Sequence, residues 1–122
     1  MRIYIGSVFS GKRIARRRVN ENSELYYKKT GIHFFNGTLN VKIKNGPIIY
    51  EKHIFINQNE ICTDGSKTDI LLIPAKMKDQ NVYILYPMNP YYDRTVIELM
   101  TECNLREKYS IKDNDLIEIM IE

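Results

Sequence analysis

Short alternations of apolar and polar residues, not long helical stripes, run through this chain. Arg2 to Phe9 reads as a first strand, with Ile3, Ile5 and Ser7 sharing one face. Thr38 to Ile43 reads as a second. Leu39, Val41 and Ile43 point one way, and Thr38, Asn40 and Lys42 the other. Asn45-Gly46-Pro47 ends it with strong turn chemistry. Ile48 to Ile56 contains a further extended segment. Glu60 to Thr63 and Asp69 to Ile73 flank Asp64-Gly65, a hairpin signal. Asn81 to Tyr86 is another apolar strand, followed by a rigid loop of Pro87, Pro90, Tyr91 and Tyr92. Thr95 to Met100 carries both helix and strand signals, and the β-branched Thr95, Val96 and Ile97 tilt it to strand. Leu116 to Ile121 is the last strand. Ser23 to Thr30 is a short helix, with Asn22 positioned to cap it and Gly31 to stop it, and Leu105 to Tyr109 is a helical turn. Many short strands with one short helix predict a mostly β barrel.

Composition narrows the class. At 122 residues the chain is expected to be one domain, residues 1–122, able to bury roughly 65 % of its unfolded surface without staples. Nine Tyr and no Trp imply a core or pocket rich in amphipathic rings. No run of eighteen apolar residues suggests a membrane span. The N-terminus is already strand-like, without the apolar stretch of a signal peptide, so a cytoplasmic location is expected. Cys62 and Cys103 are then expected as reduced thiols. The net charge of +3 says less than its distribution. Lys12, Arg13, Arg16, Arg17 and Arg18 crowd together, and the tail from Asp113 to Glu122 is acidic. A local basic cluster in a balanced chain implies a local anionic partner.

Two patterns carry candidate chemistry. Thr38 and Asn40, two apart in a strand and so about 6–7 Å apart on one face, bring a hydroxyl and an amide oxygen together. Two hard, uncharged oxygens suit a Mg²⁺ ion that keeps several waters and takes its charge from phosphates; the same alternation also fits a plain half-buried edge strand. Ser10-Gly11 followed by cations makes a phosphate cradle, because glycine lets backbone N–H groups approach an anion; a solvated loop fits the same residues. His33 and His53 have no ligand-spaced neighbours for zinc. Neither cysteine has a nucleophile's setting, and there is no Walker loop or dinucleotide fingerprint.

Three segments, in order, resemble the archaeal-type CTP-dependent riboflavin kinases. Gly6-Ser7-Val8-Phe9-Ser10-Gly11 resembles the start of that family's nucleotide loop. Asn36 to Ile43 resembles its Gly-Thr-Leu-Asn motif, and Asn104 to Ile119 its Leu-Arg-Glu turn and final strand. The resemblance implies a compact six-stranded cradle-loop-type barrel that transfers the γ-phosphoryl of CTP to the 5′-hydroxyl of riboflavin, giving FMN and CDP. It implies Mg²⁺ on Thr38 and Asn40. Gly11, Lys12, Arg13 and Arg16 would steady the phosphates, and Cys103, Asn104, Leu105 and Arg106 would read the cytidine. Glu98 would orient the attacking hydroxyl. Arg13 and Ala15 stand where the family has further glycines, so arginine forks would replace part of the backbone cradle. Pro90 stands at a threonine position and offers neither hydroxyl nor N–H, which moves that flavin contact to Tyr91 or Tyr92. Two alternatives stay open. One is a paralogue that binds nucleotide or flavin without turnover. The other is a small nucleic-acid-binding barrel, because Ile111 to Ile119 also resembles the hairpins of swapped-hairpin transcription factors. The acidic tail and the lack of a broad basic face argue against a nucleic-acid partner.

Overall fold

A computed structural model describes residues 1–11, 19, 21–61, 68–88 and 94–122. Its strands are β1 (Arg2–Phe9), β2 (Leu39–Ile43), β3 (Ile54–Ile56), β4 (Ile70–Met77), β5 (Gln80–Pro87), β6 (Val96–Met100) and β7 (Leu116–Ile121), with helices α1 (Ser23–Thr30) and α2 (Leu105–Tyr109). The sheet order is β3-β4-β5-β6-β2-β1-β7, every pairing is antiparallel, and a further pairing of β4 with β7 closes it. The result is the expected six-stranded barrel, with β3 as a seventh strand outside the ring.

β4 makes the closure possible. Its first residues, Ile70 to Leu72, pair with β3, whereas Lys76 pairs with Met120 of β7. Pro74 stands between the two and has no N–H to offer either partner. The strand is apolar almost throughout because both of its faces are covered. Leu71, Ile73, Ala75 and Met77 fill the barrel, while Ile70 and Leu72 join an outer cluster with Tyr26, Phe34, Leu85 and Met100. Doubly covered strands read as continuous apolar runs, not alternations. This is why β4 runs to Met77 rather than ending at Ile73.

In β1 the shared face that the sequence marks turns outward. Ile3 and Ile5 do share a face with Ser7, but it is the outward one. Tyr4 and Val8 fill the barrel, and the Tyr4 hydroxyl accepts a hydrogen bond from Ile49 N at 2.7 Å. Between them, Gly6 allows β1 to lie close to β2. A Cβ there would stand 2.5 Å from Val41 Cγ1 and 2.7 Å from the Lys42 carbonyl oxygen.

Other expectations shift by small steps. β2 begins at Leu39, leaving Thr38 just before it, and of the Ile48–Ile56 segment only Ile54–Ile56 pairs. Gln58–Glu60 forms a 3-10 turn instead of opening a strand. Asn57 and Glu60 cap each other reciprocally there, and Glu60 also meets Lys29 at 3.0 Å. The Asp64-Gly65 signal lies outside the described residues. The hairpin that is described joins β4 to β5 through Lys78-Asp79, with Lys78 at φ 54°. α1 stops at Gly31, whose left-handed backbone (φ 76°) lets its N–H reach the Tyr27 carbonyl at 2.7 Å. Asn22 holds the N-cap position without a side-chain cap bond; its carbonyl accepts from Tyr26 N at 3.0 Å. Among the described residues, no helix is long and apolar enough to cross a membrane.

The Gly6 contacts lead to a stability prediction. Part of the clash is with backbone, which cannot rotate away, so Gly6→Ala is expected to cost roughly 1–3 kcal/mol, the usual toll of overpacking. A urea midpoint equal to that of the parent protein would refute it.

Candidate functional site

The C-terminal ends of β1 and β6 and the N-terminal end of β2 come together at one end of the barrel, as their antiparallel pairing requires. A cleft of about 340 Å³ opens there. Its walls come from four separated stretches: Ser10 and Gly11, Phe35 to Asn40, Leu99 with Thr101, and Cys103 to Arg106. Gly11, Thr38, Asn40, Cys103, Asn104, Leu105 and Arg106, which the sequence marks as site residues, therefore line a single cleft.

Asn40 is the telling member of this group. It is only 9 % exposed, and Thr38, two residues before it, lines the same cleft. The two offer uncharged oxygen donors, the donor set that a partly hydrated Mg²⁺ accepts when phosphates supply the charge. The residues present fit such an ion. Glu98 is the cross-strand partner of Asn40, so it shares that face of the sheet; it is half-buried and stands outside the cleft lining.

Two hydrogen-bonded clusters hold the walls. In the first, Asp113 accepts from Ser10 Oγ at 2.8 Å and from Arg106 Nη2 at 2.7 Å, and Arg106 also donates to the Phe9 carbonyl at 3.3 Å. Arg106 is thus paired with Asp113. It ties the end of β1 to α2, whose N-cap Asn104 accepts from Arg106 N and Glu107 N. The Arg106 guanidinium, and after it the Ser10 hydroxyl, hold the Asp113 carboxyl below the usual carboxylate range. In the second, Thr101 (3 % exposed) donates to the Asn81 carbonyl at 2.8 Å and accepts from Gln80 Nε2 at 3.1 Å. Gln80 Oε1 accepts from Lys108 Nζ at 2.6 Å and from the Cys103 thiol. The segment after β6 is thereby fastened to the β4–β5 hairpin. Beside it the Tyr109 hydroxyl donates to Asp79, which lowers the Asp79 carboxyl and raises the Tyr109 phenol.

Lys12, Arg13, Arg16, Tyr91, Tyr92 and Pro90 fall outside the described residues. Described tyrosines do cluster, but at the other end of β6. There the Tyr50 and Tyr86 rings are 5.5 Å apart and the Arg94 guanidinium lies 4.3 Å over Tyr86. Phe35, Thr101, Gln80 and Asp113 are the residues that sequence reasoning missed. Phe35 adjoins the Gly37-Thr38 motif and could have been flagged. Asp113 reaches Ser10 across 103 positions, so no local pattern announces it.

A family model for CTP-dependent riboflavin kinases, described as a domain of unknown function, DUF120, matches residues 8–121. The chain belongs to this family. Among similar family proteins is a riboflavin kinase of Staphylothermus marinus, 28 % identical over 118 residues that cover 95 % of this chain and 88 % of the relative. A riboflavin kinase of Methanosphaera stadtmanae is 28 % identical over 125 residues, covering 96 % and 95 %. One from Ignicoccus hospitalis is 25 % identical over 114 residues, covering 87 % of this chain and 58 % of the relative.

The Asp113 cluster predicts a pH dependence. Its carboxyl is more acidic folded than unfolded, so the unfolded chain binds the proton more readily. The pairing contributes its stability above the ordinary aspartate range, about pH 4, and loses it as the pH falls through and below that range. Urea midpoints of the parent protein and Asp113→Asn should therefore differ most at about pH 7 and converge towards about pH 3. A difference that stays constant with pH would show that the carboxylate charge contributes nothing.

Proposed function

We propose that this protein transfers the γ-phosphoryl group of CTP to the 5′-hydroxyl of riboflavin, releasing FMN and CDP. The observation that carries this reading is the convergence, in one cleft of a riboflavin kinase family member, of Gly11, the Thr38–Asn40 pair and the Cys103–Arg106 turn. In the reaction the riboflavin oxygen forms a bond to the γ-phosphorus as the bridge to the β-phosphate breaks. The protein's share of such chemistry is in-line positioning and charge neutralisation.

Thr38 and Asn40 would hold Mg²⁺, which when bound neutralises charge on the phosphoryl oxygens. Gly11 leaves room for phosphate beside the backbone, and Lys12, Arg13 and Arg16 follow it in sequence to supply cationic contacts. Cys103 to Arg106, held by Gln80 and Asp113, present the wall that meets the nucleoside. Glu98, one strand from Asn40, would accept the hydrogen bond of the attacking hydroxyl and draw off its proton. Tyr91 and Tyr92 would flank the flavin ring by stacking.

Incubation with riboflavin, Mg²⁺ and each nucleoside triphosphate in turn tests the whole reading. FMN is expected with CTP and not with ATP, GTP or UTP, and no FMN with any of them overturns it. Thr38→Val tests the metal assignment, since valine keeps the β-branched shape and removes only the hydroxyl donor. Turnover should fall by at least about 100-fold with an unchanged melting temperature. Activity within a few-fold of the parent protein removes Thr38 from the metal site.

A further inference from the structure

We propose that Phe35 is the platform on which the nucleobase stacks, an inference that rests on reading the cleft as the CTP site. Phe35 is the aromatic residue of the cleft lining among the described residues, and it is 38 % exposed. The other apolar lining residues, Leu39, Leu99 and Leu105, are buried in the barrel core and present little surface. A large ring left open to water forgoes burial that elsewhere stabilises the fold, so a planar ligand would recover what the fold leaves uncovered.

The ring is also held in place. Phe34, the preceding residue, is buried in the outer cluster, edge-on to Tyr26 at 6.0 Å and to Tyr83 at 5.9 Å. Its neighbour is thereby sent to the opposite side, toward the cleft. The Phe35 N–H donates to the Thr101 carbonyl at 2.8 Å, and Thr101 is itself fixed by Asn81 and Gln80. Gly37, at φ 142°, turns the chain against the ring, with its missing Cβ position 3.6 Å from Phe35 Cε1. A pre-fixed aromatic face loses little freedom when a base settles on it.

Position selects the base over the flavin. Phe35 and Thr38 are three residues apart along the chain, at most about 10 Å, a span that ribose and phosphates would bridge between a stacked base and a metal at Thr38 and Asn40. Stacking on an aromatic side chain tolerates any base, so Phe35 supplies affinity while the polar groups of the Cys103–Arg106 wall would supply choice.

Calorimetric titration with CDP and, separately, with FMN tests the assignment. Phe35→Leu should weaken CDP about tenfold, Phe35→Tyr should bind CDP within about twofold of the parent protein because the ring remains, and neither should change FMN. Equal binding of CDP by parent and Phe35→Leu overturns the stacking role alone. Weakened FMN with unchanged CDP gives the ring to the flavin, and equal loss of both makes it structural; each overturns the proposal. A parent protein that binds no cytidine nucleotide overturns this inference together with the CTP reading. The chain has no Trp, so Phe35→Trp supplies a single indole for a second readout. Its emission should be quenched saturably by CDP, and an unresponsive indole in a folded variant overturns the proposal.

Discussion

The closed ring of this protein depends on β4, whose one edge is shared between β3 and β7 while its other edge pairs with β5. This strand leaves β3 after Leu72 and meets β7 at Lys76, so its two halves belong to different edges of the sheet. Closure demands a matched tilt and stagger of every strand. Pro74 sits where neither neighbour needs a donor, and Gly6 on β1, two strands away through β7, admits a backbone approach that a Cβ would block. Once the ring is closed, the ends of β1, β2 and β6 have only one place to meet. The cleft is a consequence of that geometry rather than an addition to it.

The walls of the cleft then depend on polar contacts that span great sequence distances. Asp113 and Gln80 touch no part of the cleft lining by sequence neighbourhood, yet each fastens a lining segment through its side chain. Buried or partly buried networks of this kind hold one arrangement because an unmade bond is costly.

The parts of this architecture visible in the sequence were those encoded locally. β7, α1 and α2 have their sequence-read bounds because alternation, a C′ glycine and a turn-forming Asn104 announce them within a few residues. The Thr38–Asn40 pair was visible for the same reason. β4 was cut short because a strand covered on both faces loses its alternation, and Ile3 and Ile5 were legible as sharing a face but not as facing out. The side to which a strand turns depends on what closes over it, and here Tyr4 and Val8 fill the interior on either side of Gly6. The Asp113 latch was illegible, because its contact with Ser10 spans 103 positions, whereas Phe35 adjoins the Gly37-Thr38 motif and only its contact with Thr101 lies beyond a local window.

Charge shows how the site must be completed. Among the described lining residues Arg106 is the only formal charge, and its guanidinium is already paired with Asp113 at 2.7 Å. The described cleft is therefore close to neutral, built from hydroxyl, amide and backbone groups. Such groups orient a phosphate chain well but cannot balance the several negative charges of a triphosphate. The balance has two sources. In the proposed reading one would be a divalent ion on the neutral oxygens of Thr38 and Asn40, whose lack of charge would leave the ion's own charge available to phosphate. The other is the basic run that begins directly after Gly11, a member of the cleft wall. Anionic ligating residues in place of Thr38 and Asn40 would consume the ion's charge before any nucleotide arrived. Further glycines in place of Arg13 would leave more of the burden to backbone dipoles alone. The composition of this site, neutral in the described cleft and cationic in the sequence that follows Gly11, suits the polyanionic nucleotide proposed for it.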